Sequence, residues 1–142
     1  MKQLVTGAWA AKWSDLALFV LRVSTGMVFV THGWAKWQGG VEQVAGFLTM
    51  LNFPAPEVFA PLLVFVEVVG GTALIFGAFT RLSAKLTGIV AIIALLTVHF
   101  EKGYSASGGG YEYVLLLAAA CLMLLVMGGG KWSLDHKVLK MK

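Results

Sequence analysis

The sequence contains little charge, little proline and almost no cysteine. Charged residues make up 13% of its 142 residues, against about 25% in a typical soluble domain, and it has only three prolines. Together with 58% hydrophobic residues and a mean hydropathy of +0.82, this composition excludes a soluble globular domain. The single cysteine, Cys121, excludes an internal disulfide and a CxxC dithiol, and we interpret it as a small buried hydrophobic residue.

Long apolar runs predict a single all-α domain over residues 1–142, an integral membrane four-helix transmembrane bundle. About 20 apolar residues in a helix cross a hydrocarbon layer roughly 30 Å thick, and spans are expected at about 16–37, 61–79, 84–100 and 111–127. The pair Gly39-Gly40 is predicted to break the first helix. Residues 41–51 then show helical apolar spacing but are too short to cross, so they predict an amphipathic surface helix between spans 1 and 2. The first run is too late, too long and too charged for a cleaved signal peptide, and we expect it to be retained.

The positions of the basic residues predict the topology. With four spans, both termini lie on the same side as the turn at Arg81 and Lys85, and the other side carries only Lys36 and Lys102. Eight basic residues lie on the first side: Lys2, Lys12, Arg81, Lys85, Lys131, Lys137, Lys140 and Lys142. The positive-inside rule therefore places both termini in the cytoplasm, in a multi-pass protein of the inner (cytoplasmic) membrane. Anionic membrane lipids explain the net charge of +4 without nucleic acid as a partner.

The first span carries charged side chains that a lipid-facing helix would not tolerate. Arg22, Phe29, His32 and Lys36 are spaced by three, four or seven residues and fall on one helical face. A charge at the centre of a lipid-facing span costs roughly 2.5–3.5 kcal/mol or more. This face is therefore expected to contact other helices, with Glu67 of the second span as the ion-pair partner of Arg22.

Four ionisable residues, one from each span, are expected in the outer half of the membrane. Because the spans alternate in direction, their depths should agree within roughly 6 Å, and the side chains should surround one pocket. We interpret these four as candidate catalytic residues: His32, Glu67, His99 and Glu112. The candidate cofactor-binding residues around them are Arg22, Phe29, Lys36 and Tyr111.

Three kinds of ligand suit such a pocket. A quinone would exchange protons with His and Glu side chains while an apolar groove holds its ring and tail. Two histidines with carboxylates also suit Zn or Fe, although we assign no residue as a metal ligand. Haem would be held between His32 and His99, and these two isolated histidines are its only support. We therefore place quinone first, metal second and haem third.

Three groups of residues have a pattern that generic hydrophobic helices would not reproduce. They are His32-Gly33 with Lys36, Glu67 with Gly70, Gly71, Gly77 and Arg81, and the run GGGKWSLD at 128–135. With the segments between them, they make residues 16–135 resemble the DoxX family of small four-helix membrane proteins. The family is named after a subunit of an archaeal thiosulfate:quinone oxidoreductase. Its bacterial relatives are associated with quinone or catechol tolerance and with membrane redox complexes for thiol and oxidative stress. The resemblance implies quinone-linked redox work but no particular catalytic residues.

The leading hypothesis is a membrane oxidoreductase component that binds a quinone or similar aromatic redox substrate in the outer-leaflet pocket and works with a partner redox protein. One alternative is a non-enzymatic anchor that docks a redox protein through residues 41–61 and 101–110. A second is a transporter of small solutes or protons, for which an intramembrane Glu such as Glu67 is typical. A single four-helix chain leaves little room for alternating access, so the transporter hypothesis requires a homo-oligomer.

Overall fold

The computed structural model describes residues 8–140, which form an all-α bundle. Its long helices are α1 (Ser14–Gly39), α3 (Pro56–Phe76), α4 (Thr80–Lys102) and α5 (Glu112–Met127). The short helices are α2 (Val41–Met50) and α6 (Leu134–Lys137), and 3-10 turns cover Ala8–Trp13 and Ala106–Gly108. Helices α1, α3 and α4 are long and apolar enough to cross a membrane, and α5 is a shorter apolar helix. The predicted all-α membrane bundle is thereby confirmed.

Helices α2 and α3 form a hairpin with its own small core. Gly40, with φ of +96°, ends α1 as its sequence predicts, and α2 begins at the next residue. The hairpin buries Val44 and Leu48 of α2 against Ala60 and Val64 of α3. The apolar stripe of α2 therefore contacts protein, while Phe47 and Met50 stay exposed. Helix α3 begins at Pro56, five residues earlier than expected, because proline at the first helical position needs no hydrogen bond.

The four long helices pack in a ring. Helix α1 lies along α3, α3 packs on α4, α4 packs on α5, and α5 closes the ring against α1. Glycines set the closest approach, since a Cβ atom on Gly26 would lie 2.6 Å from the Gly71 carbonyl oxygen. The main core is formed by Phe29, Leu74, Ala84, Ala91, Val114, Cys121 and Leu124.

The bundle has two chemically different ends. We call the end with Arg81, Lys85 and Lys131 the basic end, and the end with Lys36 and His99 the far end. At the basic end, the Lys131 Nζ lies 3.3 Å from the Asp15 Oδ2, and the two side chains form an ion pair. At the far end, the Glu112 backbone N–H donates to the Tyr104 carbonyl.

We expect the basic end to face the cytoplasm, because the positive-inside rule acts on short basic loops beside the spans. A reporter that folds only in the cytoplasm should be active when fused after residue 142 and inactive when inserted between residues 101 and 110. A periplasm-specific reporter should give the reverse pattern. The opposite result for both reporters would invert the topology.

Candidate functional site

A cavity of about 800 Å³ lies between α1, α2, α3 and α4 near the far end. Small-molecule sites usually have volumes of about 300–1,000 Å³ and mostly apolar walls with a few polar groups. The apolar walls of this cavity include Phe47, Phe53, Phe59, Leu62, Ile89 and Ile93. Its polar lining consists of His32, Lys36, Gln43, Glu67, Thr97 and His99. The cavity therefore has the composition of a site for an amphipathic ligand.

Lys36 and Glu67 form an ion pair at the cavity wall. The Lys36 Nζ lies 2.5 and 2.6 Å from the two carboxylate oxygens of Glu67. The Glu67 side chain is only 6% exposed and that of Lys36 is 32% exposed. Gly33 permits the contact, because a Cβ atom there would lie 2.8 Å from Cβ of Glu67. The pair places a cation and a carboxylate beside an apolar cavity while keeping their summed charge at zero.

Two π-helical segments contribute to the cavity. One spans Val66–Gly70 within α3 and carries Glu67, and the other spans Leu95–His99 within α4 and ends at His99. A π turn inserts one residue into a helix and turns the following side chains to a new direction, and such turns are frequent at functional sites. Apolar periodicity did not indicate either segment, since each continues the hydrophobic pattern of its helix.

The two histidines occupy different depths of the cavity. His32 is exposed and adjoins Gly33, so it lies at the depth of Glu67. A Cβ atom on Gly70 would lie 3.0 Å from Thr87 Cγ2, which sets the register of α3 on α4. At about 1.5 Å per residue, His99 then lies about 13 Å closer to the far end than Glu67. The expected common depth is not found for this histidine, which instead lies towards the mouth of the cavity.

The hydrogen bond of His99 defines its tautomer. Its Nδ1 lies 2.7 Å from the Gly109 carbonyl oxygen. Because a carbonyl oxygen only accepts hydrogen bonds, Nδ1 is the donor and carries the proton. In the neutral ring, Nε2 is then the nitrogen that accepts a proton or binds a ligand.

Three candidate residues lie away from the cavity. Phe29 is buried in the main core, and Glu112 is half-buried at the start of α5. The Tyr111 ring stacks on Phe100, with 5.7 Å between the ring centroids, and meets Tyr104 edge-on at 5.6 Å. The cavity brings together His32, Lys36, Glu67 and His99, but not Phe29, Tyr111 and Glu112. The catalytic and binding roles assigned to all of these residues remain predictions.

Arg22 lies at the basic end, and its predicted ion pair with Glu67 is wrong. Its side chain is buried, and Nη1 donates to the carbonyls of Leu74 and Ile75 at 2.8 and 2.5 Å. Nη2 donates to the Trp132 carbonyl at 3.2 Å. The last carbonyls of a helix lack intrahelical donors and carry partial negative charge, so the end of α3 stabilises the guanidinium in place of a carboxylate. Arg22 therefore lies outside the cavity.

Asp135 and Arg81, which belong to the motifs that resemble the DoxX family, bind backbone groups at the ends of helices. The carboxylate of Asp135 accepts the backbone N–H groups of Phe79 and Thr80 at 2.6 and 2.8 Å, at the start of α4. Nη1 of Arg81 donates to the Leu125 and Val126 carbonyls at 3.0 and 2.7 Å, near the end of α5. These contacts give Arg81 and the 128–135 run a structural role.

Within residues 8–140, no three His, Cys, Asp or Glu side chains are grouped closely enough to hold a metal ion. His32, Glu67 and His99 share the cavity, but the length of the cavity separates His99 from the other two. The hypothesis of a metal site therefore has no ligand cluster in the part of the chain that the structure describes.

Sequence comparisons identify relatives. The DoxX family profile matches residues 17–100. "Putative oxidoreductase CatD" of Bacillus subtilis (strain 168) is 34% identical over 86 residues, 59% of this chain and 60% of the relative. "Inner membrane protein YqjF" of Escherichia coli (strain K12) is 30% identical over 90 residues, 62% of this chain and 65% of the relative. The match thus spans less than two thirds of either relative.

A third relative matches over a longer range. An "Uncharacterized protein" of Haemophilus influenzae is 29% identical over 131 residues, 90% of this chain and 87% of the relative. No solved structure matches the chain. The profile match covers most of α1, all of α2 and α3, and most of α4, and hence parts of every helix that lines the cavity. This multi-pass membrane protein belongs to the DoxX family.

Proposed function

We propose that the protein is a membrane component of quinone-linked redox chemistry and binds a quinone, or a similar aromatic redox substrate, in the cavity beside Lys36 and Glu67. The observation that carries this proposal is the ion pair of these residues at the wall of a mostly apolar cavity. A quinone has a matching composition, since its ring and tail are apolar and its two oxygens are polar. The name of the Bacillus subtilis relative, an oxidoreductase, supports the same class of function.

The polar side chains have complementary tasks in this proposal. A quinone takes up two electrons and two protons when it is reduced. The Lys36 ammonium would donate a hydrogen bond to a substrate oxygen, and the Glu67 carboxylate beside it would hold or release a proton. His99 lies about 13 Å from Glu67 towards the far end, so water molecules in the cavity would carry the proton between them. The Nε2 of His99, which is free to accept a proton, would then exchange it with water at the far end. We place the electron donor on a partner redox protein.

Binding of a short-chain quinone tests this function. Purified protein is dialysed against ubiquinone-1, and the bound quinone is extracted and quantified. We expect saturable binding to the wild type and at least tenfold weaker binding to Lys36→Met and to Glu67→Gln. The second variant keeps one acceptor oxygen beside Lys36 and replaces the other with an NH2 group, so it removes the carboxylate charge with little change in side-chain volume.

Matched controls use the same substitutions at exposed positions in the last turn of α4, at the far end. Lys102 and Glu101 lie outside the cavity lining. The Lys102→Met and Glu101→Gln variants should therefore bind quinone like the wild type. Equal binding by the cavity variants and the controls would overturn the proposal. A haem absorption band or a stoichiometric metal in the purified protein would point to those ligands instead, and no quinone binding at all would favour the anchoring role.

A further inference from the structure

The cavity occupies a gap between two helices. The π segment and last turns of α3 pack on α4, whereas its first turns pack on α2. The first half of α3 therefore leaves α4, and the cavity lies where they separate. Side chains from both helices line it there, with Leu62 and Leu63 on α3 and Ile89 and Ile93 on α4.

The gap opens on the side of the bundle. Leu62 is 49% exposed and Ile89 is 45% exposed, although both also line the cavity. Exposure of this size at side chains that line the cavity indicates that the cavity is open beside them. Because α3 and α4 have the length and hydropathy of membrane spans, their outer faces contact hydrocarbon. The opening consequently faces lipid rather than water.

Polar and apolar groups are separated along the cavity. The Lys36–Glu67 pair lies on the α1 side, where Gly33 brings α1 and α3 together. The side at the gap is formed by aliphatic side chains of α3 and α4, and Thr97 and His99 of α4 line the cavity further towards the far end. A ligand with a polar head and an apolar tail fits this separation with its head at the ion pair and its tail at the gap.

We infer that the cavity takes its ligand sideways from the bilayer through the gap between α3 and α4, and that this gap holds the ligand's apolar tail. Leu62 borders the gap on α3, and Ile89 borders it on α4, about 9 Å closer to the basic end by the register of Gly70 on Thr87. This inference rests on the proposed function and specifies its substrate as a long-tailed, membrane-dissolved quinone. A second route runs from the far end past His99, and it would admit a water-soluble molecule without a tail. The two routes differ in which side chains obstruct them.

Two quinones with the same head group separate these routes. Ubiquinone-0 has no isoprenoid tail and ubiquinone-10 has a long one, and binding of each is measured in lipid nanodiscs after subtraction of the quinone held by empty nanodiscs. Leu62→Trp and Ile89→Trp narrow the gap. We expect each to reduce binding of ubiquinone-10 at least tenfold more than it reduces binding of ubiquinone-0.

Leu116→Trp and Leu122→Trp are the matched controls. Both residues are exposed on α5 and lie outside the cavity lining, so these variants should bind both quinones like the wild type. Leu62→Ala widens the gap instead of narrowing it. This variant should therefore take up ubiquinone-10 faster than the wild type.

The outcomes distinguish this inference from the proposed function. If the gap variants weaken both quinones equally, or neither, the tail does not lie in the gap and the inference is overturned. The proposed function survives that result as long as ubiquinone-0 binding still depends on Lys36 and Glu67. Failure of the wild type to bind either quinone overturns both.

Discussion

Replacing Lys36 with Met should lower the free energy of unfolding by about 3 kcal/mol, and replacing Glu67 with Met as well should restore most of that loss. Removing one member of a buried ion pair costs roughly 3–5 kcal/mol, because the other charge stays buried without a partner. The lower value is expected here because the Lys36 side chain is 32% exposed and water reaches its end. Replacing both members with apolar residues of similar volume is often neutral.

A double-mutant cycle in detergent measures this coupling. Unfolding of the wild type, Lys36→Met, Glu67→Met and the double variant is followed by circular dichroism under one set of conditions. Lys102→Met, at an exposed position, should change stability by no more than about 0.5 kcal/mol. If the losses of the two single variants add in the double variant, the ion pair contributes nothing to the fold.

Replacing Gly71 with Ala should destabilise the bundle by about 3 kcal/mol. Its added Cβ would lie 2.8 Å from the Gly26 carbonyl oxygen and 2.9 Å from the Val30 backbone nitrogen. Neither is the end of a flexible side chain, so α1 and α3 would have to move apart. Overpacking typically costs about 1–3 kcal/mol, and the upper value applies because two backbones are involved. Since the same approach brings Lys36 to Glu67, quinone binding should fall too.

Gly46 is the matched control for this substitution. It lies within α2, it is exposed, and a Cβ atom there would meet no atom within 4 Å. Gly46→Ala should therefore raise stability by up to about 1 kcal/mol, since alanine favours helix over glycine. Melting temperatures of both variants, measured in the same detergent, make the comparison. Similar melting temperatures would show that α1 and α3 do not depend on close contact at Gly71.

The candidate site could be predicted in part. The charged stripe of α1 indicated that Lys36 and His32 lie beside polar groups of other helices, and both residues line the cavity with Glu67. The stripe could not show which cation pairs with Glu67, because Arg22 and Lys36 both lie on the same face of α1. Glu67 pairs with Lys36 because α3 packs on α1 with Gly71 beside Gly26 and Glu67 beside Gly33.

Glu112 shows a different limit of sequence reasoning. Helix α5 is apolar on every side, so its sequence carries no sign of which face turns inward. In the structure, Val114, Cys121 and Leu124 form the inward face and pack in the main core. Glu112 lies at the start of this helix, away from the cavity.

The sequence alone determined the helical membrane fold, the helix break at Gly40 and the inward orientation of the Arg22 face, because hydrophobic length, periodicity and turn residues are local properties of the chain. Only the tertiary structure decided the helix register, the partners of Arg22 and Glu67, the two π segments and the gap between α3 and α4. These features depend on which atoms meet between helices that are distant in sequence. A guanidinium is stabilised by a carboxylate or by the carbonyl end of a helix, and packing determines which of the two it meets.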